Sequence, residues 1–202
     1  MKGMFHFVIE PLDERYNNKK EIEGSELILN TELQNHNYVS RMGIVKHIPL
    51  DEDNGIEPGD TVIVHHNVFR RFRDIRGDEK NSKSYYKENE YFVQPDQIFA
   101  YKKDCNCGWK ACKGFNFVKP IKETKMFSTN FEKPLMGIIY LVDPELDNVI
   151  KPTDIVGFRP GSEYEFVIGN NRIYRIPTNS ITIKYERQGN EEEYNPGWAQ
   201  SS

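Results

Sequence analysis

The sequence predicts an all-β protein built from two related domains in tandem. Short runs of β-branched and aromatic residues, bounded by proline, glycine and asparagine, recur along the 202 residues, which is typical of strands joined by turns. No segment has a sustained helical period with capping residues. The stretch from Phe5 to Ala100 recurs in shorter form from Phe115 to Ile183, and such a repeat indicates two copies of one structural unit.

Three landmarks carry the repeat, and they come in the same order in both copies. An opening strand that reaches a proline reads FHFVIEPL at 5–12 and FNFVKPI at 115–121. A turn reads IEPGDTV at 56–62 and IKPTDIV at 150–156, and closing strands begin with YFV at 91 and YRI at 174. Three matches in the same order are unlikely to arise by chance, so we interpret the two copies as two domains. Each domain is then expected to bury its own core.

These landmarks predict the organisation of the chain. Two polar stretches interrupt the first copy and read as a surface loop and an extended hairpin or lobe, while an acidic segment follows the second copy and is expected to be flexible. The predicted parts are a first domain at 1–103 with a mobile loop at 13–42 and a lobe at 67–90, a cysteine-containing linker at 104–114, a shorter second domain at 115–186, and a tail at 187–202.

Composition restricts the classes of function. No apolar run approaches the roughly 20 residues that span a bilayer, and the first residues lack the pattern of a signal peptide. We therefore expect a cytoplasmic protein that does not bind membranes. The net charge of −4 gives no broad attraction to nucleic acid. Arg70, Arg71, Arg73 and Arg76 form a local basic cluster, but acidic residues lie among them, so a solvated surface is the expected reading.

No catalytic motif is present. The chain has no glycine-rich phosphate loop, no nucleophile elbow and no His-Glu-x-x-His pattern, and we expect that it is not an enzyme. The cysteines at 105, 107 and 112 form one cluster. Three thiolates with a histidine as fourth ligand could hold zinc, but a single cluster without an assigned fourth ligand is more typical of reduced thiols in a turn. No cofactor is expected, and zinc stays an alternative.

An aliphatic triplet, Leu27-Ile28-Leu29, stands in the middle of the polar loop. Three adjacent apolar residues cannot all face one side of a strand. One interpretation is a short strand buried by the domain itself. The other is a docking motif that enters a hydrophobic groove of a partner, with its polar flanks becoming ordered on binding.

The order of motifs resembles the GroES-type co-chaperonin family. The motifs are an opening strand ending in proline, a loop with a hydrophobic triplet, Gly-x-Val, Gly-Asp-x-Val, and a last strand near Ile-x-Ala. In this chain they are Pro11, the triplet at 27–29, GIV at 43–45, GDTV at 59–62 and IFA at 98–100. The resemblance implies two tandem irregular β-barrels, ring-like assembly, and capping of a GroEL-type chaperonin through the loop. It favours the docking interpretation of Leu27, Ile28 and Leu29.

The resemblance also assigns architectural positions and leaves an alternative open. Gly43, Gly59, Asp60, Gly137 and Asp154 are expected to shape the turns and close approaches. The second loop, at 122–134, has no aliphatic triplet after a small residue and is expected to dock to nothing. The preferred function is a homo-oligomeric co-chaperonin that assists protein folding. The alternative is a structural or adaptor protein of a virion or other large assembly, in the host cytoplasm or the virion, that keeps the β-barrel without chaperonin binding.

Overall fold

The computed structural model describes residues 4–16, 19–22, 25–28, 39–50, 55–103, 107–124 and 131–200. Within these ranges the chain forms strands and short 3-10 turns and no α-helix, so the all-β expectation is confirmed. None of this described part is a helix long and apolar enough to cross a membrane.

The chain divides into two compact units, Met1–Trp109 (unit 1) and Lys110–Ser202 (unit 2). Unit 1 has a central antiparallel sheet with two small hairpins. The sheet strands are β1 Phe7–Pro11, β4 Met42–His47, β5 Thr61–Val64, β8 Tyr85–Lys87, β9 Glu90–Val93 and β10 Ile98–Lys102. They lie in the order β10-β5-β4-β1-β9-β8. The hairpins are β2 Lys19–Ile22 with β3 Ser25–Ile28, and β6 Arg71–Arg73 with β7 Glu79–Asn81.

Unit 2 begins with the two-residue strand β11, Lys110–Ala111, and is otherwise one antiparallel sheet. Its strands are β12 Phe115–Lys122, β13 Glu132–Leu141, β14 Ile155–Phe158, β15 Tyr164–Ile168, β16 Asn171–Pro177 and β17 Ile181–Tyr185. They lie in the order β17-β14-β13-β12-β16-β15. Gly169 and Asn170 join β15 to β16 with φ of 54° and 63°, the left-handed conformation that a two-residue hairpin turn requires.

The two sheets have the same strand order and matching registers. Pro11 lies opposite Gly43 in unit 1, and Pro120 lies opposite Gly137 in unit 2. The Val45 N–H donates to the Asp60 carbonyl at 2.9 Å, and the Ile139 N–H donates to the Asp154 carbonyl at 2.8 Å. Within the described ranges the strand pairing leaves both sheets open rather than closed into the expected barrels. The shared frame is therefore an open six-strand sheet.

Two glycine positions allow the central strands to approach closely. A Cβ on Gly43 would lie 2.5 Å from Ile9 Cγ2 and 2.7 Å from the Glu10 carbonyl oxygen. A Cβ on Gly137 would lie 2.7 Å from Val118 Cγ2. Any side chain there must displace the neighbouring strand, since real Cβ contacts are longer. Close packing between the first strand of each unit and its partner strand therefore requires glycine at both positions.

The turn before the next strand is also shared, with one difference in residue type. The Asp60 carboxylate accepts the Glu57 N–H at 2.8 Å, and the Asp154 carboxylate accepts the Lys151 N–H at 2.8 Å. The residue before each aspartate has positive φ, 96° at Gly59 and 77° at Thr153. Glycine adopts this conformation without strain, whereas a β-branched threonine does not.

Candidate partner-docking loop and its anchor

The long loop of unit 1 is tied together at its base. It leaves β1 through Arg15 and Tyr16 and returns to β4 through Val39 and Ser40. Tyr16 and Val39 form an antiparallel bridge and are both buried, and the Ser40 N–H donates to the Arg15 carbonyl at 2.9 Å. The two ends of the loop, at 16 and 39, are therefore held together in a closed neck on the sheet.

The β2–β3 hairpin belongs to this loop and carries the start of the aliphatic triplet. Leu27 pairs with Lys20 and Ile28 pairs with Lys19. The Leu27 side chain is 50% exposed, and Leu29 lies outside the described residues. An apolar side chain half in solvent on a polar hairpin does not belong to the core of unit 1, so Leu27 is available at the surface.

Arg15 fastens the neck to the lobe. Its guanidinium donates to the Phe69 carbonyl from Nε at 3.1 Å and from a terminal nitrogen at 2.9 Å, and its other terminal nitrogen donates to Asn81 Oδ1 at 2.9 Å. The guanidinium also lies 5.2 Å from the ring centroid of Tyr91, within the range of a cation–π contact. Burial lowers the pKa of Arg15 from its ordinary value, although the group stays charged.

Tyr16 makes the second link to the lobe. Its hydroxyl accepts the Arg71 N–H at 2.6 Å, and the Arg71 guanidinium lies 5.0 Å from its ring centroid. Arg71 also pairs with Glu79 across the β6–β7 hairpin at 2.7 Å. The lobe, expected as an extended hairpin, is a short hairpin at 71–81 followed by β8, which joins the main sheet through β9.

Tyr91 lies under this anchor. It is fully buried, its ring packs edge-on against Phe69 with centroids 4.9 Å apart, and burial raises its pKa. Its hydroxyl has no hydrogen-bond partner within the described part of the chain. Sequence reasoning missed Arg15 and Tyr16 because they begin a polar stretch. The repeat did indicate Tyr91, since Tyr174 occupies the matching place in unit 2.

In unit 2 the matching region is a cleft of about 460 Å³ beside the start of β13. The Tyr174 hydroxyl donates to Glu132 Oε1 at 2.8 Å. Arg172 binds Glu132 at 2.8 Å and Glu165 at 2.6 Å. Burial and the Glu132 carboxylate together raise the pKa of Tyr174. The second loop leaves β12 at Lys122 and returns at Phe131, where the Glu123 N–H donates to the Phe131 carbonyl at 3.0 Å.

The tail, expected to be flexible, packs on unit 2 over residues 191–200. Glu193 forms a β-bridge with Ile121, and Ala199 is fully buried. Glutamates at 192 and 193 pair with Lys122 and Lys119. The run of glutamates reads as solvated in the sequence, because the lysines that neutralise it lie about 70 residues away in the chain, on β12.

Two of the three clustered cysteines, Cys107 and Cys112, lie in the part of the protein that the structure describes. Cys112 is buried, Cys107 is exposed and disulfide-bonded, and Cys105 lies outside the described ranges. Among described residues no group of three His, Cys, Asp or Glu side chains could hold a metal ion. Because a disulfide-bonded sulfur is not a thiol, the expectation of reduced thiols is wrong at Cys107. The zinc alternative stays a prediction, and a site with all three cysteine thiolates requires that disulfide to be reduced.

The chain matches no protein-family model and no curated protein. The resemblance to the GroES-type family therefore rests on the motifs of the chain itself.

Proposed function

We propose that this chain is an oligomeric co-chaperonin with two GroES-like units, and that it docks on a GroEL-type chaperonin through Leu27, Ile28 and Leu29. The observation that carries the proposal is the half-exposed Leu27 on the β2–β3 hairpin of the loop whose ends Tyr16 and Val39 join. Two features support the family assignment: the matching strand orders of the units, and the Gly-Asp turn at 59–60, whose aspartate accepts a backbone N–H.

The physical basis of docking is burial of the triplet in a hydrophobic groove. Each aliphatic side chain contributes about 1.5 to 3 kcal/mol when it leaves water. Ordering of the polar residues beside the triplet costs conformational entropy, which keeps the affinity of a single loop low. A ring presents several loops together, so later contacts form at a high effective concentration. The loop can thus support both firm capping and release.

The Arg15 anchor gives the loop a defined origin. The guanidinium crosslinks the neck to the lobe through the Phe69 carbonyl and Asn81, and Tyr16 adds a further bond to Arg71. A fixed origin limits the volume that the triplet samples, and this raises its effective concentration at the partner. In unit 2 the loop is shorter, since its described ends are residues 124 and 131. We assign this second loop no docking role.

The test is association of the full chain with an active GroEL-type chaperonin in the presence of nucleotide. Replacement of Leu27, Ile28 and Leu29 by serine is expected to abolish association and leave the melting temperature unchanged. The matched control is Ile75→Ser, since Ile75 is a fully exposed aliphatic residue of the lobe, and this variant is expected to bind like wild type. Failure of the wild-type chain to bind, or a large fall in melting temperature of the triple variant, contradicts the proposal.

A structural protein of a larger assembly is the second candidate, and an exposed aromatic cluster favours it. Tyr86 is 49% exposed and Phe92 is 38% exposed. The Tyr86 ring lies 4.6 Å from that of Phe92, and the His6 ring lies 6.3 Å from Phe92. Aromatic patches of this kind are enriched at protein–protein interfaces. Retention of assembly together with loss of chaperonin binding would favour this candidate.

A further inference from the structure

The edge of β12 forms a groove that receives an extended segment. β16 pairs with β12 only as far as Val118 opposite Tyr174, whereas β12 continues to Lys122. The tail supplies the backbone contacts beyond that point. The Tyr194 N–H donates to the Pro120 carbonyl at 2.8 Å, and the Lys122 N–H donates to the Glu192 carbonyl at 2.8 Å. This is strand addition to a free sheet edge.

Charge and aromatic contacts make the groove selective. Lys119 pairs with Glu193 at 2.7 Å and Lys122 pairs with Glu192 at 3.0 Å. The rings of Tyr194 and Phe131 are nearly parallel, with an interplanar angle of 7° and centroids 6.3 Å apart. Two lysines and an exposed phenylalanine therefore fit an acidic strand that is followed by an aromatic residue.

Asn195 fixes the register of the segment. Its side-chain oxygen accepts the Arg172 N–H at 3.1 Å, and its side-chain nitrogen donates to the Asn170 carbonyl at 2.8 Å. Both partners belong to the β15–β16 turn region. A one-residue slip would break both hydrogen bonds and move the two glutamates away from their lysines. The groove therefore specifies the sequence Glu-Glu-Tyr-Asn in one register.

A short bend connects this segment to β17. Residues 186–190 are all exposed, and Gly189 has a φ of 88°. The Glu191 carboxylate accepts the Gln188 N–H at 3.0 Å and the Gly189 N–H at 2.9 Å. These backbone hydrogen bonds lower the pKa of Glu191. The bend itself is thus held by one surface carboxylate.

We propose that this groove is also an interaction site for the tail of a second copy of this chain. The contacts of Glu192, Glu193, Tyr194 and Asn195 join the tail to the body of unit 2, so the same contacts form when the tail comes from another copy. Exchange of an identical element is a low-cost route to association, because the bonds broken in one molecule are remade in the other. In an oligomer the second copy is present at high effective concentration.

The test mixes unlabelled and ¹⁵N-labelled full-length protein and treats the mixture with a zero-length carbodiimide crosslinker. The ion pairs Lys119–Glu193 and Lys122–Glu192 bring an amine and a carboxylate close enough to be linked directly. Mass spectrometry of the linked peptides is expected to show mixed-label links at these pairs. The matched control is Lys113 with Glu145, at 2.7 Å within unit 2 and away from the tail, which is expected to give same-label links.

Two outcomes overturn the proposal. Same-label links alone at Lys119–Glu193, with the control pair linked, show that the tail docks only in its own molecule. Mixed-label links at the control pair to the same extent show random encounters instead of exchange. Glu191→Gln, which weakens the bend, is expected to speed the appearance of mixed-label links. The readout requires no chaperonin, so it is independent of the outcome for the loop triplet.

Discussion

Units 1 and 2 have the same six-strand order but differ in the segments that pack around the sheet. Unit 1 fastens its lobe to the neck of the long loop, where Arg15 binds the Phe69 carbonyl. Unit 2 has a short connection between β14 and β15 and covers the edge of β12 with the tail. The sheet frame is thus the common property of the two units, and the segments inserted between its strands account for their differences.

The comparison also separates positions that packing determines from positions that tolerate change. Both units keep glycine opposite the proline of the first strand, because a Cβ there meets the neighbouring strand. Gly59, where a Cβ would meet nothing within 4 Å, is replaced by Thr153 in unit 2. Steric contact requires glycine at both Gly43 and Gly137. At Gly59 and Thr153 a side chain costs only local backbone strain.

The largest expected effect on stability is at Gly43 and Gly137. Gly43→Ala is expected to lower the free energy of unfolding of unit 1 by about 3 kcal/mol, because the added Cβ meets a backbone oxygen and the neighbouring strand must shift. Gly137→Ala is expected to lower that of unit 2 by about 2 kcal/mol, since its nearest contacts are with the Val118 side chain. Urea unfolding with hydrogen exchange on β1 and β12 peptides resolves the two units.

Gly108→Ala is the control for this pair, since a Cβ at Gly108 meets nothing within 4 Å. A loss of stability in Gly43→Ala no larger than in this control would show that the close approach of β1 and β4 is not needed.

A middle-sized effect is expected at the matched tyrosines. Tyr174→Phe removes a hydrogen bond to the Glu132 carboxylate and is expected to destabilise unit 2 by about 2 kcal/mol. Tyr91→Phe removes a buried hydroxyl that has no partner among the described residues, and it is expected to leave unit 1 unchanged or more stable by up to about 1 kcal/mol. Thermal unfolding of each variant, resolved by the same exchange peptides, measures the difference.

The pH dependence of stability tests the Tyr174 hydroxyl in a second way. Because its folded pKa is raised above 10.0, the contribution of Tyr174 to stability is fully present below that pH and is lost as the pH rises toward the folded pKa. Tyr174→Phe should remove this part of the alkaline destabilisation. An equal effect of Tyr91→Phe and Tyr174→Phe on stability would argue against the difference in hydroxyl pairing.

The smallest effect is expected at the turn. Thr153→Gly relieves a β-branched residue at a φ of 77° and should stabilise unit 2 by about 0.5 to 1 kcal/mol after the entropy cost of glycine. Gly59→Thr places the same strain in unit 1 and should cost about 1 kcal/mol. The midpoint of urea unfolding measures both. A loss of stability in Thr153→Gly would show that the threonine side chain has a packing role.

Most of the strand framework could be predicted from local patterns. β-branched and aromatic runs form the strands at 91–93, 98–102 and 155–158. Gly169 and Asn170 are residue types that favour the observed hairpin turn between β15 and β16. The repeated order of landmarks indicated that the two sheets correspond, because register and turn chemistry are encoded locally.

The candidate site and the tail could not be predicted in the same way. Arg15 has no local signal of its role, since its partners Phe69 and Asn81 lie 54 and 66 residues away. The tail glutamates look solvated until Lys119 and Lys122 are placed beside them. Contacts between distant polar groups depend on the three-dimensional arrangement, and periodicity carries no information about it.

The position of each opening strand has a consequence for folding. In unit 1, β1 lies between β4 and β9, and Phe7 pairs with Val93 of β9. In unit 2, β12 lies between β13 and β16, and Phe117 pairs with Arg175 of β16. The middle of each sheet is thus completed by a strand made late in synthesis. Such a topology has a high contact order and folds slowly, because long loops must close before the pairing is gained. Until β9 has emerged from the ribosome, β1 keeps one unpaired edge, and a nascent chain in this state is the one most exposed to association with its neighbours.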